Sequence, residues 1–446
     1  MRLAIIGGDA AGMAAGAMVA RRDPSVEIVA FERGPYTSYS ACGIPYFLSE
    51  AVQDAGRLIS RSPDEHRANG IDVRMRTEVT SVDLAARTLA ARHLDSGGET
   101  TEGFDQLLIA TGAHAVAPPV PGAEACEPVR TVDAAERLRA VLQRGGRSAV
   151  VVGAGYIGLE TAEALVQRGL KVTLVDRATQ VMSTLDPEMA AHIQVAAEGE
   201  GIDVRLGAAV EEIVLGGDGM PNAVRIDGET VSADHVIVGA GARPTVDLAQ
   251  SAGLTIGPSG AIAVDDHQRC PGHDGVFAAG DCAESFHRLL QQPVNIQLGT
   301  HANKQGRVVA INATGGDASF PGVIGTAISK ICRYEVARTG LSESEAAAAG
   351  IDVVAAEIKA TTRAGYFPGT GPIWVKLVVA PGSGRILGGQ IVGVEGAGKR
   401  IDTLAVCVWT GMTAQELSWL DLAYAPPFSG VFDPLLLAAH AATKLL

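Results

Sequence analysis

Short apolar runs recur along the chain, and most of them stop at a glycine. "RLAII" (2–6), "VEIVAF" (26–31), "SAVVV" (148–152) and "KVTLV" (171–175) are continuous rather than alternating. Continuous runs predict parallel strands buried on both faces. The small-residue stretches between them, 10–22 and 156–169, predict helices packed on such sheets. "FDQLLIATGA" (104–113), "ADHVIVGAGARP" (233–244) and "PGHDGVFAAGDCAE" (271–284) add strands that close on glycine turns. After about residue 325 the pattern changes. "GPIWVKLVVAPGSGRILGGQIVG" (371–393) reads as two strands joined by a Pro/Gly/Ser turn, a hairpin leading into an apolar helix near 402–411.

Two segments share one plan: apolar strand, glycine-rich turn, small-residue helix, second strand ending in an acid. That is the βαβ dinucleotide-binding pattern, present twice. In the second copy Gly153, Gly155 and Gly158 complete GxGxxG; in the first, Gly7 and Gly12 hold the outer positions and Asp9 stands in the middle. The terminal acids are Glu32 and Asp176. An acid at this distance past the glycines suits a ribose hydroxyl.

With 446 residues the chain has room for two to four domains. Its net charge of −14 argues against a nucleic-acid partner. No apolar run reaches the ~18 residues of a membrane span, and the expectation is a cytoplasmic protein. Six cysteines, at 42, 126, 270, 282, 332 and 407, show neither CxxC nor metal-ligand spacing, so no metal site is expected.

Strand-GG-helix-Glu, ATG, GxGxxG-Asp, VGAGARP and VFAAGDC, in that order, resemble the pyridine nucleotide–disulfide oxidoreductases. The resemblance implies an α/β fold with two Rossmann-like dinucleotide-binding domains and a C-terminal α+β dimerisation domain. The FAD domain (1–113 and 243–322) would be split around an NAD(P)H domain (114–242), with the interface domain at 323–446. It implies that Gly7, Gly12, Glu32, Arg33, Thr111, Gly112, Gly280, Asp281 and Ala302 serve FAD. Gly153, Gly155, Gly158 and Asp176 would serve NAD(P)H. Asp176 favours NADH, because a carboxylate repels a 2′-phosphate; Arg177 beside it leaves NADPH open.

Within the family, "SxxxCGIPY" (Ser38–Tyr46) paired with "AYAPPFS" (423–429) is similar to the single-cysteine branch. That branch holds coenzyme A disulfide reductases, coenzyme A persulfide reductases, NADH oxidases and NADH peroxidases. Five residues after Cys42, where dithiol relatives carry a second cysteine, stands Phe47. With no second thiol, oxidised Cys42 must be a mixed disulfide with a small thiol or a sulfenic acid. Cys42 is expected to open a helix, Pro45 suiting its first turn, with the helix end lowering the thiol pKa. By resemblance, Tyr366 and Tyr424 reach the active site from the partner subunit of a homodimer, as protonated donors for a leaving thiolate. His301 is a lesser acid–base candidate. Arg21, Arg22 and Ser38 are the expected contacts to coenzyme A, although Ala14 and Met18 stand where the family carries polar groups. The leading expectation is NAD(P)H-driven reduction of coenzyme A disulfide or a related small disulfide. An NADH oxidase or peroxidase, a persulfide reductase, a ferredoxin-type electron-transfer reductase and a redox sensor stand as alternatives.

Overall fold

The computed structural model describes residues 1–446. Five parallel strands form the first sheet, in the order Val276–Ala278, Gln106–Ile109, Arg2–Ile6, Glu27–Phe31, Ile71–Arg74. Ile5 pairs with Leu108 on one side and Ala30 on the other, and all three are fully buried. Helices cover one face of the sheet and the antiparallel strands of 77–103 pack on the other, so its strands carry apolar side chains on both faces. Helix Ala10–Arg22 crosses helix Gly299–Ala313 so closely that a Cβ at Gly306 would lie 2.3 Å from the Ala11 carbonyl oxygen.

The second sheet repeats this plan with four parallel strands: Asp203–Leu206, Lys171–Asp176, Ser148–Val152, His235–Val238. Each half also carries a three-stranded antiparallel meander, 77–103 and 210–232, just before the strand that closes on its glycine turn. Where the chain passes between the halves, Ala113–Ala115 and Ala242–Pro244 pair antiparallel.

The C-terminal sheet is antiparallel, in the order Ala327–Ile331, Tyr334–Gly340, Ile386–Gly393, Pro372–Val379, Val354–Thr361. The hairpin expected at 371–393 is present, and the apolar helix starts earlier than expected, running Ala397–Thr410. Every residue of Ile386–Gly393 is buried.

A buried ionic knot joins this sheet to the second nucleotide half. Lys376 and Asp186 are each 2% exposed at the side chain and lie 2.9 Å apart. Glu188 and Glu343 also bond Lys376, and Gln390 donates to Asp186 at 2.6 Å. Burial works against the ammonium, but the three carboxylates outweigh it and hold the Lys376 pKa above the ordinary lysine value.

Candidate active site

The two glycine turns are built by one local rule. Gly7 and Gly153 share a φ of +112°, where a side chain would be strained. A Cβ at Gly12 would stand 2.0 Å from the Gly7 oxygen, and one at Gly158 would stand 1.7 Å from the Gly153 oxygen. Glycine at these positions therefore lets each helix start flush against its strand. Glu32 accepts from the amides of Gly8 (2.7 Å) and Gly34 (2.5 Å); Asp176 accepts from those of Ala154 (2.6 Å) and Ala178 (2.9 Å). Each acid thus ties its turn to the residues that follow its strand.

The halves differ at the middle position. Nothing lies within 4 Å of a Cβ placed on Gly155, so the backbone there is open to a pyrophosphate. Asp9 instead points a carboxylate at the Tyr39 amide (3.1 Å). Burial, against the Tyr39 hydrogen bond, and the charges of Glu32 and Asp281 push Asp9 up to about 7.

The other residues expected at FAD gather at the carboxyl ends of the first sheet. Thr111 donates to the Thr245 oxygen at 2.7 Å, and Gly112 takes a positive φ. Gly280 donates to Gln305 at 2.7 Å, and a Cβ there would meet Ala11 at 3.1 Å and Ala302 at 3.5 Å. Asp281 pairs with Arg130 at 2.9 Å. Arg33 is exposed and lies 3.8 Å from Glu78. A cleft bounded by glycine turns, a helix start and a half-buried aspartate fits an extended dinucleotide.

Among the six cysteines, Cys42 alone is exposed. It sits in a 3₁₀ turn, Ala41–Gly43, that runs into a five-residue helix, Ile44–Leu48, with Pro45 in its first turn. This turn is stitched down: Ser40 donates to the Leu58 oxygen (2.8 Å) and Ser60 to the Ser38 oxygen (2.8 Å). A Cβ on Gly43 would meet Leu58 at 2.3 Å. Phe47 is buried beneath the guanidinium of Arg139. The expectation of a lowered thiol pKa needs correcting for the protein alone. Desolvation, then the charge of Glu160, push Cys42 above the ordinary cysteine value, and so short a helix supplies little dipole to oppose them. Glu160 lies on helix Tyr156–Gln167, where Ser329 donates to it at 2.5 Å. Cys282 is buried with its thiol on the carbonyls of Ala279 (3.4 Å) and Ile109 (3.5 Å).

A cavity of about 620 Å³ opens at Ser38 and Tyr39, which lead into the Cys42 turn. Met13, Ala14, Ala17, Met18 and Arg21 form one stripe of helix Ala10–Arg22 along it. Ser38, Ser60, Arg61, His66, Asn303 and Arg307 supply polar groups from other elements. Arg22 points elsewhere and bonds Thr314 at 2.9 Å. Sequence reasoning missed Arg61, His66, Asn303 and Arg307. The last two stand four residues apart on helix Gly299–Ala313, a spacing that puts them on one face. Tyr366 and Tyr424 neighbour each other on the surface; partial desolvation and Tyr424 push the Tyr366 phenol up, which keeps it protonated. His301 contacts the Ile296 oxygen at 3.4 Å, and burial pushes its pKa down.

Residues 1–306 match the family model for pyridine nucleotide-disulphide oxidoreductases, and residues 326–435 match the dimerisation domain of the same family. The chain belongs to that family. This oxidoreductase is 36% identical to an NADH oxidase of Methanocaldococcus jannaschii, over all of this chain and 99% of the relative. It is 36% identical to a CoA-dependent NAD(P)H sulfur oxidoreductase of Pyrococcus abyssi, over 98% and 97%. A NAD-dependent persulfide reductase from A. fulgidus superposes with a TM-score of 0.96 at 36% identity, covering all of this chain and 83% of that one. The oxidoreductase thus has the fold of an FAD- and pyridine nucleotide-dependent enzyme with a dimerisation domain. No helix in it is long and apolar enough to cross a membrane.

Proposed function

We propose that this oxidoreductase uses Cys42 to reduce coenzyme A disulfide or a related low-molecular-weight disulfide, with electrons from NADH. The carrying observation is the cavity lined by Ser38 and Tyr39, the segment that leads into the only exposed cysteine. Three guanidinium-bearing residues, Arg21, Arg61 and Arg307, line it together with an apolar stripe. Arginine pairs with phosphate oxygens, and the stripe suits an uncharged linking arm. Arg61 and Arg307 replace, from other elements, the polarity that Ala14 and Met18 withhold from the first helix. The relative described as CoA-dependent supports the same ligand.

In this reading the FAD domain comprises 1–113 and 243–322, the NAD(P)H domain 114–242, and the interface domain 323–446. Gly7, Gly12, Glu32 and the 280–281 turn would hold FAD, which when bound would pass two electrons from NAD(P)H to the oxidised sulfur of Cys42. The thiolate of Cys42 attacks one sulfur of the substrate disulfide. A Cys42–sulfur bond forms, the substrate sulfur–sulfur bond breaks, and the departing thiolate takes a proton. Tyr366 and Tyr424 of a second subunit provide that proton. Their exposure, with that of Trp419, Phe428, Val431 and Phe432, supports a dimer covering this face. Such a reaction belongs in the reducing cytoplasm.

Anaerobic turnover with NADH and coenzyme A disulfide, scored by thiol released, tests the proposal. The expected result is thiol release that Cys42→Ser abolishes while FAD stays bound. Rapid oxygen uptake with negligible thiol release would replace it by the oxidase reading, which the Methanocaldococcus relative favours.

A further inference from the structure

Ser38 is held in an unusual way. Its φ is +50°, a left-handed conformation that serine rarely adopts. The backbone is pinned on both sides, with the Ser38 amide on the Gly8 oxygen (3.2 Å) and the Ser38 oxygen on the Ser60 amide (2.8 Å). A strained residue fixed from several directions is a candidate for function. Its Oγ lies 2.8 Å from Nε2 of His66, and Oγ has no other partner in the chain.

His66 is 2% exposed, and its Nδ1 is buried with no hydrogen-bond partner. That orphan atom decides the tautomer. A proton on Nδ1 would make it a buried N–H donor without an acceptor, the rarer and costlier defect; a bare lone pair is tolerated more readily. This geometry favours the tautomer with the proton on Nε2, in which Nε2–H donates to Ser38 Oγ. The hydroxyl proton of Ser38 is then free to turn into the cavity.

We propose that His66 is a positioning residue that makes Ser38 a hydrogen-bond donor toward the anionic ligand of this cavity. The inference rests on the coenzyme A reading above and adds a specificity determinant to it. A donor at Ser38 complements the arginines, because phosphate and thiolate groups only accept. Burial and the charge of Arg61, opposed by Glu65, hold His66 below the ordinary histidine pKa and so keep it neutral. The aliphatic or aromatic residue that would pack equally well at this buried position could not orient the hydroxyl.

Steady-state kinetics of the FAD-loaded enzyme with NADH and coenzyme A disulfide, for H66F, H66Q, S38A and the double variant H66F/S38A, test this. H66F is expected to raise KM for coenzyme A disulfide about three- to tenfold with kcat held within about twofold, the size of one lost hydrogen bond. H66Q, whose side-chain amide can donate to the same Oγ, should recover most of that loss. H66F/S38A should be no worse than S38A alone, because both changes remove one interaction. An unchanged KM in H66F, or additive losses in the double variant, overturns the inference. If H66F does not fold, nitrogen-15 NMR of the histidine-labelled enzyme decides, since a proton found on Nδ1 of His66 also overturns it. Wild-type enzyme that neither binds nor turns over coenzyme A disulfide overturns the functional reading itself, and this inference with it.

Discussion

Replacing Lys376 by methionine keeps the length of the side chain and removes its charge. Asp186, 2% exposed, then loses its 2.9 Å partner inside the protein. It keeps the Gln390 amide at 2.6 Å and the Glu343 backbone amide at 3.1 Å, so it is not wholly orphaned. Glu188 and Glu343 are 40% and 46% exposed and can turn to water. The uncompensated charge is therefore essentially one carboxylate, and the cost falls at the lower end of the ~3–5 kcal/mol typical of a broken buried pair. For 446 residues at roughly 2.1 cal/mol/K each, the unfolding entropy is about 0.9 kcal/mol/K, so Tm should fall about 3 °C. Calorimetry of the FAD-loaded enzyme at one scan rate measures this. Adding D186N should restore most of the loss. An unchanged Tm, or no recovery on adding D186N, would refute the account of Lys376 as the counter-charge of a buried carboxylate.

Glu160→Gln removes the charge that, after desolvation, holds Cys42 up; its alkylation by iodoacetamide near neutral pH should quicken, up to about fivefold for a partly exposed pair, and an unchanged rate would show that desolvation acts alone. Asp9, with a pKa of about 7, is neutral below that value and places a negative charge on the wall of the cavity above it. KM for coenzyme A disulfide should therefore climb as pH rises through 7, and D9N, checked for full FAD content, should flatten the profile. Gly158→Ala drives a Cβ to 1.7 Å from the Gly153 oxygen and should cost more than about 4 kcal/mol; Gly155→Ala meets nothing within 4 Å and should change stability by less than about 0.5 kcal/mol while raising KM for NADH.

The parts of the fold visible in the sequence were those with a local cause. Apolar runs marked seven of the nine strands of the two parallel sheets but not the edge strands Ile71–Arg74 and Asp203–Leu206, which are short and interrupted by charged residues, and glycines at 153, 155 and 158 marked the turn between strand and helix. The two meanders, 77–103 and 210–232, escaped because their strands are short and half-exposed, with bulges that break the alternation. Cys42 was legible from its neighbours, but its electrostatic setting was not: Glu160 approaches from the other nucleotide half, and only the fold brings them together. The same holds for Arg61 and His66, which stand far from Arg307 in the chain and meet it at one cavity. Arg22 shows the converse, since adjacency to Arg21 on a helix turns a side chain about 100° away, here toward Thr314.

The paired ribbon of Ala113–Ala115 with Ala242–Pro244 brings the entry and exit of the middle segment side by side. A piece of chain whose two ends are neighbours can be swapped as a cassette, so, on the domain assignment proposed above, nicotinamide preference is open to engineering by grafting without rebuilding the flavin half. The graft has one condition. The donor segment must bring acids equivalent to Asp186 and Glu188, or the recipient is left with a lysine sealed against a partner that no longer exists.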